Sequence, residues 1–207
     1  MPNKSFPLRE SFSYGWNTTK NNFQFFFGIL LIYGIMNLGP TFIERFFNTG
    51  KIPLLNLVIG LIFGLTGILI SLGKIGISLK VVDGKKAKWN ELFSYSRLFL
   101  TYITGNIFYT IILALGYLFF ILPGIYLSLK YQFFPYFLVD KKLSLSEAFK
   151  ESGRITEGKK WNVFLFNIVS SLYIIIGALA LGIGLLWTVP TTWLATAYLY
   201  RKLSENQ

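Results

Sequence analysis

Residues 99–139 read FLTYITGNIFYTIILALGYLFFILPGIYLSLKYQFFPYFLV and contain a single charged residue, Lys130. A helix that crosses a membrane needs roughly 20 mainly apolar residues, so this stretch is about twice as long as one crossing requires. Leu122-Pro123-Gly124 lies near its middle. Proline disfavours helix in the residue before it and glycine accepts a reversed backbone, so these residues predict a tight turn. The stretch therefore predicts a hairpin of two membrane-spanning helices.

Three further apolar runs flank this hairpin: residues 23–39, closed by Pro40, residues 54–79, and residues 161–200. The last run is again of double length, and it is interrupted at Gly184 and at residues 187–190. Together the runs predict six transmembrane helices. The predicted fold is all-α, an integral membrane helical bundle with additional interfacial amphipathic helices. It forms a single membrane domain over residues 1–207.

Composition argues against a soluble protein and against an enzyme. The chain is 53% hydrophobic and only 14% charged, with a mean hydropathy of +0.53, whereas soluble domains carry about 25% charged residues. It has no histidine and no cysteine, which removes the commonest catalytic base, the thiol nucleophile and the usual zinc ligands. Every acidic residue lies outside the apolar runs. We expect no enzymatic activity, no cofactor and no metal.

Basic residues are distributed unequally between the two sides of the predicted bundle. The net charge is +11, and most of the basic residues fall in the amino terminus, in residues 80–97, in residues 141–160 and in the carboxyl terminus. The predicted outer segments hold only Arg45 and Lys51. Because cytoplasmic loops carry the excess of Lys and Arg, this pattern predicts a multi-pass protein of the cell membrane with both termini in the cytoplasm. The charge then fits a bilayer surface, and we expect no nucleic-acid partner.

A short pattern recurs before each predicted pair of spans: ESFSYG at 10–15, ELFSYS at 91–96 and EAFKES at 147–152. The first copy has helical periodicity, with Leu8, Phe12 and Trp16 on one face. Ser144 and Glu147 form a predicted capping box at the third copy. Basic amphipathic helices beside spans usually lie flat in the headgroup layer. The pattern predicts three repeats, at residues 8–82, 89–139 and 144–203, although loop helices beside a membrane also resemble one another by chance.

Three segments carry a resemblance to a known family: FILPGIYL at 120–127, YFLVD at 136–140 and LSEAFKES at 145–152, followed by Thr156, Gly158 and Trp161. Over roughly residues 119 to 170 the chain resembles the membrane domain of glycerophosphodiester phosphodiesterase and similar six-helix bacterial and archaeal membrane proteins. The resemblance implies a membrane domain without the phosphodiesterase barrel, whose acidic and histidine ligands are missing. It transfers no catalytic residue.

Lys130 is the predicted functional residue. It is placed near the middle of the fourth span, where a cation costs about 2.5–3.5 kcal/mol and should face the bundle interior or a wet cavity. We expect its ammonium to share a pocket with Asn106, Tyr126 or Gln132, and to receive an anion there. The alternative is a lysine that reaches the headgroup layer along its alkyl chain. Lys74 lies closer to the predicted inner boundary, and its expected role is the same extension to the headgroup layer, with a binding site as the less favoured alternative.

Gly60 and Gly64 form a G-x-x-x-G pattern on the second span, which predicts close packing against a neighbouring helix of the same chain or, alternatively, dimerisation. The leading function hypothesis is a binding or transport protein for a lipid or amphiphilic anion, with membrane lipids, anionic ones included, as partners. The alternative is an accessory or assembly protein that packs against partner membrane proteins.

Overall fold

A computed structural model describes residues 6–47 and 51–205, and every regular element in these residues is helical. This confirms the all-α prediction. Two short 3-10 segments, Trp89–Phe93 and Ser96–Leu98, precede the fourth helix. The α-helices are α1 (Leu8–Asn21), α2 (Phe23–Phe47), α3 (Pro53–Val82), α4 (Phe99–Phe119), α5 (Ile121–Tyr131), α6 (Phe134–Lys141), α7 (Leu145–Ile155), α8 (Lys160–Leu179) and α9 (Leu185–Glu205).

Four helical segments are long and apolar enough to cross a membrane: Phe23–Phe47, Pro53–Val82, Trp89–Phe119 and Lys160–Leu179. Large apolar side chains cover their outer surfaces, with Leu38 70% exposed and Leu118 78% exposed. Monomeric soluble proteins rarely expose contiguous apolar patches of this kind. The fold is thus compatible with a membrane protein, while the count of six spans remains a prediction.

The fourth predicted span is two helices. Helix α5 ends at Tyr131 and α6 begins at Phe134, so at 1.5 Å per residue they are only about 16 and about 12 Å long. The side chain of Ser152, from α7, fills the break. Its Oγ accepts a hydrogen bond from the Phe133 N–H at 3.1 Å and donates one to the Lys130 carbonyl at 2.9 Å. The interruption therefore leaves these two backbone groups satisfied inside the protein.

Helix α9, the sixth predicted span, is the centre of the bundle. Ten of its residues are buried, among them Leu194, Leu199 and Tyr200. Helix α1 runs antiparallel along it, since Tyr14 stacks on Tyr198 at 4.8 Å and the Thr191 hydroxyl donates to that of Thr19 at 3.4 Å. Burying polar threonine hydroxyls between two helices requires such mutual hydrogen bonds.

The face that α1 buries includes small residues beside the predicted apolar ones, of which Leu8 and Phe12 pack against the core. Ser11, Gly15 and Thr19 are buried, whereas Trp16, predicted on the apolar face, is 42% exposed. A Cβ atom at Gly15 would collide with the carbonyl oxygen of Thr191. Small residues four apart let the two backbones approach closely, so this face of α1 packs against α9. Helix α1 is therefore part of the bundle and does not lie apart from it.

Turns fall beside the predicted positions. The hairpin between α4 and α5 turns at Phe120, whose backbone is extended, and Pro123 sits in the first turn of α5. The last hairpin turns between α8 and α9, while Pro40 and Pro190 lie inside α2 and α9. The predicted helix ends at Pro40 and at residues 187–190 are wrong, because a helix can continue through proline where neighbouring groups satisfy the freed carbonyl.

The recurring segment does not have the same secondary structure in all three copies. The recurring segment is α-helical at α1 and α7 but 3-10 helical at Trp89–Phe93, and the threefold repeat stays a prediction.

A Cβ atom added at Gly60, Gly64 or Gly67 would meet nothing within 4 Å. The G-x-x-x-G face is therefore open among the described residues, and the glycines that pack within the chain on α3 are Gly73 and Gly76.

Charged side chains join the ends of three helices. The Arg201 guanidinium binds both carboxylate oxygens of Asp83 at 2.8 Å and one oxygen of Asp140 at 2.6 Å. Tyr200 donates to the same Asp140 oxygen at 2.8 Å. We call this cluster, Asp83, Asp140, Tyr200 and Arg201, the charged end of the bundle. Bidentate pairing of arginine with a carboxylate fixes geometry as well as charge, so α3, α6 and α9 have a set register here.

Candidate functional site

A partly open cavity of about 260 Å³ lies between α2, α3, α4, α6 and α9. Its single charged residue is Lys74, on α3. The other lining residues are aromatic, hydroxyl-bearing or apolar: Tyr33, Ser71, Ile75, Ser78, Tyr102, Tyr136, Trp193 and Thr196. We call this cavity the Lys74 chamber.

Two aromatic rings hold the ammonium group of Lys74. Its Nζ lies 4.9 Å from the centroid of the Tyr33 ring and 4.7 Å from that of Trp193. These rings meet edge to face, with centroids 5.8 Å apart. The negative faces of aromatic rings attract a cation at such distances. Among the described residues no carboxylate forms an ion pair with Lys74.

The position of Lys74 on α3 argues against a simple extension to the surface. It precedes Asp83, at the charged end, by nine residues of the chain, which correspond to about 14 Å along a helix. Helical side chains lean toward the amino terminus of their helix, so the Lys74 stem leans away from the charged end. The structure thus places Lys74 in the chamber, whereas the sequence predicts that its side chain extends to the headgroup layer.

Some hydroxyl groups in the chamber already donate a hydrogen bond within the protein, and others do not. Ser71 donates to the Gly67 carbonyl at 2.9 Å and Thr196 to the Thr192 carbonyl at 2.7 Å. Tyr33, Ser78 and Tyr136 line the same cavity, and the described part of the chain supplies no hydrogen-bond acceptor for their hydroxyls. A hydroxyl can donate one hydrogen bond. The chamber therefore offers a cation and uncommitted donors, which is the chemistry that binds an anion.

Lys130 lies elsewhere, at the junction of α5 with α7. Its alkyl chain passes over Gly153, with the Cε atom 3.0 Å from the position of a Cβ there. Its Nζ lies 5.0 Å from the centroid of the Tyr131 ring. The main chain of Lys130 has the clearest role, as the acceptor for Ser152. Its side chain covers a glycine of an amphipathic helix.

The residues predicted to share a pocket with Lys130 have their own partners. Asn106 donates to the Tyr102 carbonyl at 2.7 Å and lines a groove between α3 and α4. Gln132 accepts a hydrogen bond from Asn167 at 3.0 Å. Tyr126 is 49% exposed, with the Lys160 ammonium 4.8 Å from its ring centroid. No hydrogen bond within residues 6–47 and 51–205 joins these three to the Lys130 side chain.

A sequence signal for Lys74 exists but is weak. Ser71, Lys74 and Ser78 are spaced at i, i+3 and i+7, so they form one polar stripe on an otherwise apolar helix. Tyr33 and Trp193 come from distant parts of the chain, and no local pattern connects them to that stripe. Only tertiary packing identifies the chamber.

A larger polar cavity, of about 890 Å³, opens beside the charged end. Several of its charges are already paired, Lys80 with Glu91 and Arg201 with Asp83 and Asp140. Its remaining basic residues are on loops or helix ends, where water or lipid headgroups solvate them at little cost. An unpaired ammonium inside the bundle is the stronger indication of a binding site.

The described residues contain no group of three or more acidic residues placed to hold a metal ion. Comparison with protein-family models, with curated proteins and with solved structures gives no match to this chain.

Proposed function

We propose that this chain is an integral membrane protein that binds a lipid or amphiphilic anion in the Lys74 chamber. The observation that carries the proposal is an ammonium group inside an apolar bundle, with uncommitted hydroxyl donors beside it and no carboxylate partner. An anion from outside the protein would supply the missing charge.

Energetics favour an external anion. A lysine within a transmembrane helix costs about 2.5–3.5 kcal/mol on insertion scales. Contact of the ammonium with aromatic faces stabilises it by roughly 0.5–2 kcal/mol, and the contact is stronger where water is excluded. The rings therefore offset part of the cost, and they leave the positive charge uncompensated. A bound carboxylate or phosphate would compensate it and accept hydrogen bonds from the chamber hydroxyls.

The charged end supports an orientation for the protein. The ends of α3, α6 and α9 meet there, next to the basic segments 80–97 and 141–160. The positive-inside rule assigns this end to the cytoplasm, with α1 beginning and α9 ending on that side. The Lys74 chamber then lies in the cytoplasmic half of the membrane. The proposed membrane is the cell membrane, and the proposed activity is binding or transport without catalysis.

Native mass spectrometry of the purified full chain tests this proposal. The wild-type protein should retain an anionic lipid or amphiphile, and Lys74→Met should lose most of it, because the substitution removes the charge and keeps a similar volume. Lys130→Met is the matched control and should retain it. Equal retention by Lys74→Met and the wild type would overturn the proposal, and so would loss caused only by Lys130→Met.

A further inference from the structure

A groove of about 520 Å³ runs along the outer side of the bundle between α3 and α4. Four of its eight lining residues are isoleucines: Ile68 on α3, and Ile103, Ile107 and Ile111 on α4. The three α4 residues are four apart, so they form one continuous stripe along the helix. Ile107 is 55% exposed and Ile111 is 50% exposed, so the groove opens onto the apolar surface of the bundle.

The groove and the Lys74 chamber are adjacent. Ser71 and Tyr102 line both. From Tyr102 the α4 stripe extends to Ile111, about 14 Å further along the helix, in the direction away from Leu98 and the polar cavity at the charged end. A molecule that fills both spaces would have a polar head at Lys74 and an apolar tail pointing toward the other end of the bundle.

The groove also has polar residues, but it remains suited to an apolar chain. Asn106 already donates its amide to the Tyr102 carbonyl, and the other polar member besides Ser71 and Tyr102 is Thr110. The surface of the groove is more apolar than polar, and no charged residue lines it. Concave sites that are mainly apolar and carry a few placed polar groups are the usual form of small-ligand sites.

We infer that the groove takes the tail of a single-chain amphiphile whose anionic headgroup pairs with Lys74, and that this molecule enters sideways from the bilayer. This inference rests on the proposed function and assigns its ligand class. The orientation of head and tail matches that of a lipid in the leaflet next to the charged end. The groove's open side faces where acyl chains would be.

The neighbouring interface between α4 and α5 offers no second groove for another acyl chain. Helices α4 and α5 are in close contact, since a Cβ atom at Gly116 would lie 3.0 Å from the Cα of Gly124. Tyr109 also donates to the Ser128 carbonyl at 3.3 Å across this pair. The α4–α5 side is therefore closed beside the groove. A second tail would have to leave the protein surface for bulk lipid.

Equilibrium dialysis of the purified full chain in a neutral detergent tests the inference with three probes: oleate, oleyl alcohol and acetate. Oleate has both chain and charge, oleyl alcohol has the chain alone, and acetate has the charge alone. We expect oleate to bind more tightly than either of the others. Ile107→Phe fills the groove and should weaken oleate by at least about tenfold, since several methylene groups lose their burial. Ile176→Phe, at an exposed isoleucine of α8, is the matched control.

Ile111→Phe, one turn further along, serves as a second blocking variant, and thermal unfolding of each variant verifies that it is folded. If Lys74→Met weakens oleate while both blocking variants bind it as the control does, the groove inference is wrong and the proposed function stands. If Lys74→Met binds oleate as the wild type does, the proposed function fails as well. Equal affinity for oleate and acetate would also exclude a tail site.

Discussion

At the scale of single residues, Ser152 has the most demanding position. Its hydroxyl is fully buried and serves two backbone groups at once, the Phe133 N–H and the Lys130 carbonyl. Thr156 adds a weaker contact to the same carbonyl, at 3.4 Å. Phe133 and Ser152 are both buried, so the Phe133 N–H would be left without a partner if the Ser152 hydroxyl were removed.

Ser152→Ala should therefore destabilise the protein by about 1–3 kcal/mol, the usual penalty for leaving a buried polar group unsatisfied. Ser13→Ala is the control, because Ser13 is exposed on α1 and its replacement should change stability little. The measurement is thermal unfolding of both variants in one detergent. Equal melting temperatures for the two would mean that the break does not depend on Ser152.

The surroundings of Lys130 and Lys74 show what position along the sequence can and cannot predict. The placement of Lys130 near the middle of the fourth span assumes that this span is one straight helix. The helix is broken after Tyr131, and the Lys130 side chain covers Gly153 of α7. Lys74 acquires its importance from Tyr33 and Trp193, residues on other helices. Position along a chain does not reveal such partners.

At the scale of helices, the packing of α1 on α9 depends on Gly15. The carbonyl of Thr191 occupies the place where a Cβ atom would be. Gly15→Ala should force the helices apart and destabilise the protein by about 1–3 kcal/mol, as overpacking does.

Gly60→Ala is its matched control on α3, where a Cβ atom would meet nothing within 4 Å. That change should be neutral, or stabilising by up to about 1 kcal/mol, because alanine favours helix over glycine. Unfolding measured under identical conditions should separate the two variants. A Gly15→Ala protein as stable as Gly60→Ala would contradict the close contact between α1 and α9.

The capping box of α7 is a confirmed sequence prediction. The Ser144 N–H donates to the Glu147 carboxylate at 3.0 Å, and the Ser144 hydroxyl also donates to it, at 2.6 Å. These hydrogen bonds lower the pKa of Glu147 from its usual value, since they favour the charged form. Such boxes are recognisable from sequence because all the participating groups lie within one helical turn.

Ser144→Ala should cost roughly 1 kcal/mol at neutral pH. Because the folded-state pKa of Glu147 is lowered, its contribution is fully present above the unfolded value of about 4.3 and is lost as the pH falls through the lower folded value. The difference in melting temperature between the wild type and Ser144→Ala should therefore narrow below about pH 4. A difference that is constant from pH 7 to pH 3 would contradict the role of the carboxylate.

Proline positions explain most of the misplaced helix ends. The sequence predicts that Pro123, Pro40 and Pro190 end or interrupt a helix, but each lies within one. At Pro123 the missing N–H has little effect, because the first turn of a helix has no internal partner for it. The apolar runs located the helices well, whereas their ends depend on contacts between helices that a sequence does not display.

At the scale of the whole molecule, the two later hairpins have apolar tips. Leu122 is 78% exposed at the tip of α4 and α5, and Leu181 is 90% exposed between α8 and α9. Backbone groups there bond within the chain, for example Phe120 N–H to the Gly116 carbonyl at 3.2 Å and Gly182 N–H to that of Ala178 at 2.9 Å. Internal hydrogen bonds with apolar side chains outside are what the hydrocarbon region requires.

The proposed topology predicts different accessibility for two engineered cysteines in a chain that has none of its own. Cysteine at position 49, which lies outside the described residues, should react with a membrane-impermeant thiol reagent in intact cells. Cysteine in place of Glu205, at the end of α9, should react only after the cells are lysed, because the positive-inside rule places that end in the cytoplasm. Labelling of position 205 in intact cells would contradict the proposed orientation.

Photo-crosslinking tests the central claim, anion binding at Lys74, most directly. A fatty acid with a diazirine close to its carboxylate is incorporated with the full chain into bilayers of neutral lipid, and the labelled residues are mapped by mass spectrometry. We predict label concentrated on the chamber residues of α3, α4 and α9, including Ser71, Tyr102 and Trp193, and lost in Lys74→Met. Label spread evenly over the exposed apolar surfaces of α2 and α8, with the same yield in Lys74→Met, would contradict the account.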